Sequence, residues 1–267
     1  MREASAALVR HLHDFVREVE PTYEEWERSV KFLTDVGAKC TPSRQEVVLL
    51  SDTLGVSMLI DAINHRVPEG ASETTVLGPF FVANAPEPPL GSNISGGLPG
   101  EPLFVDVSIR DAAGRPLPDA IVDVWHSDKD GYYDVQSYDE GGGVNLRARF
   151  RSDAEGRVWF WSIVPSFYPV PTDGPVGDML RAQGRHPFRP AHVHFMIAAP
   201  GFATLVTHIF IDGDPYLDSD AVFGVKDSLV RKLERREAGA TPDESVLDHP
   251  FAIMTYVFRL APSLKPR

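Results

Sequence analysis

The sequence predicts a mainly β protein with an α-helical N-terminal part, and the spacing of its apolar residues is the main reason. Between residues 4 and 66 the apolar residues recur three and four apart, which is the period of a helix that buries one face. After residue 102 the period falls to two, in short runs separated by turn residues, as in a β-sandwich or barrel. At 267 residues the chain is long enough to bury a full core.

Three helices are predicted in the first part of the chain, over residues 4–19, 23–39 and 43–65. The second helix has Thr22 before its first turn and the acids Glu24 and Glu25 within that turn, which is typical of a capped helix start. The third has Ser43 three residues before Glu46, the spacing of a capping box.

A segment rich in proline and glycine, residues 73–101, follows these helices and predicts an ordered linker, because neither residue favours a continued helix. Beyond the linker the alternating pattern predicts six strands, over residues 103–111, 120–128, 146–153, 157–164, 191–199 and 205–213. The tail predicts one further helix and a last strand, over residues 225–237 and 251–261.

Composition and charge exclude several classes of protein. No apolar run approaches the roughly 18 to 20 residues that a membrane span needs, and the charged first residues lack the pattern of a secretion signal, so the cytoplasm is the expected compartment. The net charge of -12 argues against a nucleic-acid partner. The single cysteine, Cys40, excludes a Cys-rich zinc or iron–sulfur site, so any metal must be held by nitrogen and oxygen ligands.

The run "RPAHVHF" contains two histidines two residues apart in a predicted strand. Residues at i and i+2 of a strand point the same way, so His192 and His194 share one face while Val193 and Phe195 share the other. Two imidazoles on one face can bind one metal ion, although such a pair can also simply face solvent. No Lys or Glu alternates on the histidine face as it would on a solvated strand, which favours the metal site.

Two tyrosine-containing segments supply candidate oxygen ligands. "DGYYDVQ" contains Tyr132 and Tyr133, and "PSFYPVP" places Tyr168 between prolines. Tyrosines in such loops often only pack or cap, but beside two histidines a phenolate would suit ferric iron better than zinc. The residues alone do not choose between Tyr132 and Tyr133, because adjacent side chains of an extended chain point to opposite sides.

Four segments, "DVWHSDKDGYYD", "SIVPSFYPVP", "GRHPFRPAHVHF" and "DGDPYLDSDAVFGV", resemble the intradiol ring-cleaving dioxygenases, the family of catechol 1,2-dioxygenase, and most of all its hydroxyquinol branch. The resemblance extends to "LLSDTLGVSML" and "TTVLGPFFV", and so covers essentially the whole chain. It implies a helical dimerisation domain, a linker that contributes to the active-site pocket, and a β-sandwich catalytic domain, over residues 1–72, 73–101 and 102–267. It also implies one non-haem Fe(III) per subunit and a homodimer formed through the N-terminal helices. In relatives a lipid sits between the helical domains, which makes a lipid a candidate partner.

The ligand set that the resemblance implies is Tyr133, Tyr168, His192 and His194, with the family pattern of Gly, any residue, then Tyr selecting Tyr133. In the family the second tyrosine, here Tyr168, leaves the metal and takes a substrate proton. Arg189 matches the family's arginine near the substrate and would offset charge developing on the ring, the alternative being a surface salt bridge. His208 stands where catechol-type members have glutamine, so the resemblance leaves open its role as a polar group beside the ligands.

The residues expected to contact an aromatic diol or triol are Leu49, Asp52, Val76, Leu77, Gly78, Pro79, Phe80, Val170, Pro171 and Arg189. An acid on an otherwise apolar lid is costly to bury without a partner, so Asp52 favours a substrate with a third hydroxyl. The resemblance then implies insertion of both atoms of O2 into hydroxyquinol (benzene-1,2,4-triol) to give 3-hydroxy-cis,cis-muconate or maleylacetate. Two alternatives are catechol or a substituted catechol as the substrate, and Asp52 as a residue that only caps or pairs within its helix.

Two other classes of protein account for parts of the same pattern. A zinc hydrolase could use His192, His194 and an acid such as Asp214, and it would be colourless. Residues 107–125 alone resemble small β-sandwich modules for adhesion or carbohydrate binding, which would need no tyrosine ligands.

Overall fold

The structure is a computed structural model that describes residues 1–41, 44–65, 68–136 and 143–263. Its first part contains four helices, α1 (Arg2–Val19), α2 (Tyr23–Ala38), α3 (Glu46–Thr53) and α4 (Val56–Asn64). The start of α2 is a complete capping box, because the Thr22 hydroxyl accepts from the Glu25 backbone N–H at 3.3 Å and the Glu25 carboxylate accepts from the Thr22 N–H at 2.8 Å. The predicted cap at Ser43 lies outside the described residues.

The prediction of one continuous third helix is wrong, because the chain breaks between α3 and α4 at Gly55. This glycine has a φ of +74°, in the left-handed region where residues with a Cβ are strained. A Cβ at the same position would also lie 3.3 Å from the ring of Phe223. Gly55 therefore supplies both the turn and the space in which Phe223, from the β-rich part of the chain, approaches the helices.

The rest of the chain is mainly β. The longer strands are β1 (Pro102–Asp111), β2 (Ile121–His126), β3 (Arg147–Arg151), β4 (Arg157–Ile163), β7 (His192–Ala198), β8 (Leu205–Ile211) and β13 (Phe251–Leu260). The shorter elements are β5 (Tyr168–Pro169), α5 (Pro175–Ala182), β6 (Phe188–Arg189), β9 (Val230–Arg231), β10 (Glu234–Arg236), β11 (Gly239–Ala240) and β12 (Val246–Leu247). Two main sheets result, with the strand orders β10-β13-β1-β4 and β3-β2-β7-β8-β9.

The two sheets form a β-sandwich, because apolar residues from both contribute to one buried cluster. Phe195 of β7 and Phe258 of β13, for example, have ring centroids 4.8 Å apart across the two sheets. The fold class predicted from the sequence is therefore confirmed, and the alternation that predicted it has Val193 and Phe195 fully buried in this core.

The helix predicted over residues 225–237 is wrong. The segment instead forms one short 3₁₀ turn, Asp227–Leu229, and then pairs β9 with β8 and β10 with β13. Leu229 and Leu233, whose spacing of four favoured a helix, are both buried in the sandwich core from this non-helical chain. Edge pairing to the two sheets outweighs local helix propensity here.

The N-terminal helices contrast with the sandwich in burial. Helix α1 has no buried residue, and its apolar side chains Leu8, Leu12, Phe15 and Val19 are each about half exposed or more. Within the described parts of the chain, no helix combines the length and the apolarity that crossing a bilayer requires.

Candidate metal centre and substrate pocket

The two histidines of "RPAHVHF" project from β7 on the side opposite the sandwich core. His192 and His194 are each only 1% exposed, which excludes a pair that faces solvent. They are covered by the segments that follow the neighbouring strands and by the linker, whose Gly78 approaches so closely that a Cβ there would lie 3.3 Å from Cε1 of His194. Indole stacking by Trp125 of β2 covers the His194 ring, with centroids 4.6 Å apart.

Tyr133 and Tyr168 complete a compact cluster with these histidines. The Tyr133 hydroxyl lies 3.1 Å from Nε2 of His194 and 3.5 Å from Nε2 of His192. The ring of Tyr168 lies with its centroid 5.3 Å from that of Tyr133 and 5.7 Å from that of His192. Tyr132 is 60% exposed whereas Tyr133 is 1% exposed, so Tyr133 is the member of this pair that joins the cluster.

A glycine explains how the two tyrosine segments approach each other. Gly131 has a φ of +89°, and a Cβ on it would lie 2.8 Å from the Phe167 carbonyl oxygen and 2.9 Å from Cβ of Tyr168. Only glycine therefore allows the segment before Tyr133 to pack against the backbone of Tyr168. Tyr168 itself is fixed by the pairing of β5 with β6, in which it lies directly opposite Arg189.

The donor atoms of the cluster fit a metal ion. Nδ1 of His192 donates to the Pro190 carbonyl at 2.7 Å, which leaves the lone pair on Nε2, the atom that faces the cluster. The two histidine Nε2 atoms are 3.1 Å apart, about the separation expected of two ligands that each lie roughly 2.0–2.1 Å from one ion. Two imidazole nitrogens at this distance with a phenol oxygen beside them are the arrangement that a shared cation stabilises.

Electrostatics of the cluster favour neutral imidazoles. Burial, followed by the charge of Arg189, lowers the pKa of His192 to about 3. Burial also lowers the pKa of His194 well below its ordinary value, with the neighbouring histidines His208 and His192 adding to the effect. Burial and the neighbouring Tyr168 raise the pKa of Tyr133 well above the ordinary value, so a cation is needed to hold Tyr133 as a phenolate.

His208 lies directly against the candidate ligands His192 and His194. It faces His194 directly across β7 and β8, with ring centroids 4.2 Å apart, and the ligand atoms of His192, His194 and His208 all lie within 4.8 Å of one another. Neither of its ring nitrogens has a hydrogen-bond partner of normal geometry among the described residues, although the backbone of Val76 is near enough to favour the protonated ring slightly. His208 can therefore serve either as a further donor or as a group that contacts a ligand.

Arg189 is buried beside this cluster in an ion pair with Asp220. Its Nε donates to Oδ1 of Asp220 at 3.2 Å and its Nη2 donates to Oδ2 at 3.3 Å. Burial acts to lower the pKa of Arg189, but the Asp220 carboxylate outweighs it and raises that pKa. The side chains of the two residues are 4% and 2% exposed, which excludes the alternative of a surface salt bridge.

A second buried pair, Arg147 with Asp134, was not predicted from the sequence. Arg147 donates from Nε to Asp134 at 2.7 Å, from Nη2 to the same carboxylate, and from Nη1 to the Phe80 carbonyl at 3.0 Å. Phe80 in turn stacks on Tyr133, with ring centroids 4.3 Å apart. The pair therefore joins the linker to the segment that carries Tyr133. The run "LRARF" carries no signal for the pair, because alternation places Arg147 on the face opposite Ala148 and Phe150, where a solvent-exposed arginine is equally expected.

Comparison with known proteins identifies the family. A model described as Dioxygenase matches residues 76–262, and one described as Catechol dioxygenase N terminus matches residues 1–72. The chain belongs to the intradiol ring-cleavage dioxygenases. This family is metal-dependent and acts on aromatic diols with O2, which agrees with the convergent histidines of the cluster.

Relatives of known activity lie within the same family. The chain is 54% identical over 237 residues to the hydroxyquinol 1,2-dioxygenase of Rhizobium sp. strain MTP-10005, which covers 89% of this chain and 80% of that protein. It superimposes with a TM-score of 0.91 on the hydroxyquinol 1,2-dioxygenase of Pseudomonas putida DLL-E4, at 50% identity over 96% of this chain and 90% of that one. The catechol 1,2-dioxygenase of Pseudomonas arvilla C-1 matches with a TM-score of 0.83 at 34% identity, over 97% of this chain and 84% of that one.

The residues expected to line the pocket of this intradiol dioxygenase are only partly brought together. Leu49 packs with Val170 in a small apolar cluster that also contains Leu180 and Val222. Asp52 is half-buried, and burial raises its pKa against the opposing effect of a hydrogen bond with Ser57. The charges of Arg189 and Asp220 are close enough to act on the same pKa in opposite directions. Gly78 and Phe80 lie against His194 and Tyr133. Leu77, Pro79 and Pro171 are exposed.

The rival site of a zinc hydrolase does not form. The carboxylate of Asp214 accepts backbone N–H groups from Ala191 and Tyr216, each at 2.9 Å, and so closes a turn. Because the family model covers the β-sandwich as well, the chain is also not a β-sandwich binding module without enzymatic activity.

Proposed function

We propose that this intradiol dioxygenase acts on hydroxyquinol, inserting both atoms of O2 into the ring to give 3-hydroxy-cis,cis-muconate or its tautomer maleylacetate. The observation that carries the proposal is the buried cluster of two tyrosines and two histidines with Arg189 on one side and the half-buried acid Asp52 nearby. Identity of about half to proteins named hydroxyquinol 1,2-dioxygenase, over most of the chain, supports the same substrate.

Four side chains would hold one ferric ion per subunit, namely Tyr133, Tyr168, His192 and His194. When bound, ferric iron would chelate the adjacent oxygens of the diol and withdraw electron density from the ring, so that O2 attacks a ring carbon. Tyr133 and His192 lie against neighbouring rings on several sides, so their donor atoms are held in place before the substrate enters. The low pKa values of His192 and His194 keep both rings available as neutral donors at any pH near 7.

Three groups would act on the substrate or on the ligands beside it. Tyr168, as a phenolate, accepts a proton from one substrate hydroxyl at its Oη, and His208 lies within reach of the same ligands as a polar donor. Arg189 offsets the negative charge that develops on the ring, because it is buried, always charged and paired on one edge only.

Asp52 would distinguish hydroxyquinol from catechol. Burial raises its pKa even though Ser57 hydrogen-bonds the carboxyl group, so a third substrate hydroxyl is a suitable further partner for this acid. The apolar part of the pocket would be formed by Leu49, Val76, Leu77, Gly78, Pro79, Phe80, Val170 and Pro171.

The decisive experiment measures O2 uptake by the protein reconstituted with Fe(III), with hydroxyquinol and catechol as substrates. We expect faster uptake with hydroxyquinol and a product whose mass, under ¹⁸O2, contains two labelled atoms. Incorporation of one labelled atom or none would contradict the proposal.

Tyrosine variants test the ligand set within the same experiment. Tyr133→Phe should remove the visible charge-transfer absorption of a phenolate bound to Fe(III), while Tyr168→Phe should keep iron and lose turnover. Tyr132→Phe is the matched control, since this neighbouring ring is 60% exposed. Equal spectra for Tyr133→Phe and Tyr132→Phe would show that the ligand assignment is wrong.

We also propose the division into a helical dimerisation domain (1–72), a pocket-forming linker (73–101) and a catalytic domain (102–267). The exposed apolar face of α1 supports a homodimer with a lipid as a candidate occupant between its helices, because a face of this kind is normally covered. Sedimentation at equilibrium and native mass spectrometry test the dimer and the lipid. A single cysteine supports a reducing compartment, so the cytoplasm remains the proposed location.

A further inference from the structure

The segment "DSDAVFGV", residues 218–225, holds Asp220 by its own backbone. The Asp220 carboxylate accepts N–H groups from Val222 at 3.3 Å and from Gly224 at 2.9 Å, in addition to the two bonds from Arg189. The Ala221 N–H donates to the Phe188 carbonyl at 3.1 Å, which ties the segment to β6, the strand that carries Arg189. The acid and the arginine are therefore fixed to the same short strand.

Gly224 lies where any side chain would strike this ion pair. A Cβ at residue 224 would be 2.9 Å from Nη2 of Arg189, a distance that real Cβ atoms essentially never show, and 3.1 Å from Oδ2 of Asp220, which is tighter than most real Cβ contacts. The φ of Gly224 is outside the left-handed region, so the backbone itself would accept alanine. Glycine is required here for the space that the guanidinium occupies.

The pairing uses only part of the guanidinium. Nε and Nη2 of Arg189 both donate to Asp220, while Nη1 donates to no protein group among the residues that the structure describes. Tyr168 lies opposite Arg189 in the β5–β6 pair, and side chains of directly opposed residues lie on the same face. The free edge of Arg189 is thus held next to the candidate ligand that exchanges with substrate.

We propose that Asp220 and Gly224 are positioning residues, which clamp two nitrogens of Arg189 so that Nη1 is the donor presented to the substrate. This inference rests on the proposed function for its kinetic consequence and on geometry alone for the clamp. An unclamped arginine has several accessible rotamers, and a displacement of about 1 Å can cost roughly a hundredfold in rate. Because the charge on the ring develops in the transition state, the clamp acts on kcat more than on KM.

A double-mutant cycle between Gly224→Ala and Arg189→Lys tests the clamp. Lysine has no Nη2, so in the double variant the methyl group added at position 224 no longer meets the closer of the two atoms that it would strike, and only the 3.1 Å contact with Asp220 remains. We expect Gly224→Ala to lower kcat at least about tenfold when Arg189 is present and less than about twofold in the Arg189→Lys background. KM for hydroxyquinol and the iron content should change little. Gly143→Ala is the matched control, because Gly143 is exposed and no atom of the described residues lies within 4 Å of the added Cβ.

The same cycle is measured by thermal unfolding of the metal-free proteins, which needs no activity. Gly224→Ala should lower the midpoint by about 3 to 6 °C with Arg189 present and by much less in the Arg189→Lys background. Effects that simply add in both readouts would overturn the clamp. Should the wild-type protein take up no O2 with any diol, the proposed function fails, but the unfolding cycle still tests the clamp.

Asp220→Asn is the second variant, which keeps an oxygen for the Gly224 N–H and removes the charge. We expect its kcat to fall at least about tenfold with KM nearly unchanged, because Asn holds the guanidinium by one oxygen only. A normal kcat in Asp220→Asn would overturn the assignment of Asp220. A fall in kcat that is matched by an equal loss of iron would do so as well, because it indicates general disruption of the site.

Discussion

Two buried arginine–aspartate pairs flank the candidate metal ligands, and they differ in what the arginine has left over. Arg147 donates from Nε, Nη1 and Nη2 to protein acceptors, two bonds to Asp134 and one to the Phe80 carbonyl. Arg189 donates from two nitrogens to Asp220, and across the described ranges its Nη1 has no protein acceptor. The first pair is satisfied within the fold, which indicates a structural role, whereas the second retains a donor for another molecule.

Replacing the arginine of the satisfied pair should have the largest effect. Arg147→Met removes the guanidinium that donates twice to the buried Asp134 and frees the Phe80 carbonyl, so we expect the free energy of unfolding to fall by about 3 to 5 kcal/mol. Urea unfolding of the metal-free protein measures this loss directly. Arg151→Met on the same strand is the matched control, because Arg151 is half exposed and its ion pairs should contribute less than about 1 kcal/mol. Equal losses in the two variants would contradict the comparison.

Removing Arg189, whose Nη1 has no acceptor in the described part of the chain, should affect turnover in addition to the loss of a buried ion pair. Arg189→Gln is expected to lower kcat by roughly a hundred- to a thousandfold, the effect of removing one donor that stabilises charge in a transition state. Iron content should stay near that of the wild type, since Arg189 is not one of the proposed ligands. Oxygen-uptake kinetics together with metal analysis check both statements. A kcat within about threefold of the wild type would show that the free Nη1 is not used.

A buried histidine, His126, lies near the Arg147–Asp134 pair, and it is not one of the proposed metal ligands. We therefore expect it to affect stability. Nδ1 of His126 donates to the Ser127 carbonyl and its Nε2 accepts from the Ser162 hydroxyl, each at 2.7 Å, and burial lowers the pKa of this histidine to about 4. A histidine with a lowered folded pKa binds fewer protons than the unfolded chain between pH 6.5 and 4. Stability is therefore full above pH 6.5 and falls as the pH drops through this window.

The share of His126 in this loss is measured by comparing two proteins. We expect it to reach about 3 kcal/mol at pH 4, so His126→Gln should lose less stability than the wild type between pH 7 and 4.5 in urea unfolding. His192, His194 and His208 remain in both proteins and affect both slopes alike. Parallel stability curves for the two proteins would exclude His126 from the acid response.

A comparison of the Arg189 and Arg147 pairs also shows which parts of the site could be predicted from the sequence. Alternation alone predicted that His192 and His194 share a face, and the family pattern pointed to Tyr133, because both signals lie within a few neighbouring residues. Arg189 was singled out for the same reason, three residues before His192. Asp134 and Arg147 are 13 residues apart and the Phe80 carbonyl is 67 residues from Arg147, so no local pattern relates them. Their role depends on tertiary contacts.

The two wrong helix predictions also arose because the local sequence pattern does not reveal tertiary contacts or backbone conformation. Gly55 was predicted within a helix because the apolar spacing continues through it, but its left-handed φ divides α3 from α4. Residues 225–237 have helical spacing, yet pairing with two sheet edges decides their conformation. Asp220 lay in a quoted motif without a role, since its partner is 31 residues away on another strand.

The smallest effect expected concerns Asp52, the acid whose pKa responds to both members of the Arg189 pair. Asp52→Ala removes one hydrogen bond to the third hydroxyl of hydroxyquinol, which is worth about 1 to 2 kcal/mol, so kcat/KM for hydroxyquinol should fall roughly tenfold. Catechol lacks that hydroxyl and is the internal control, with an expected change below about threefold. If Asp52 instead only caps or pairs within α3, the unfolding midpoint falls and the two substrates lose equally. Such a result would leave the free edge of Arg189 as the main polar contact of the pocket and would remove the basis for preferring the triol.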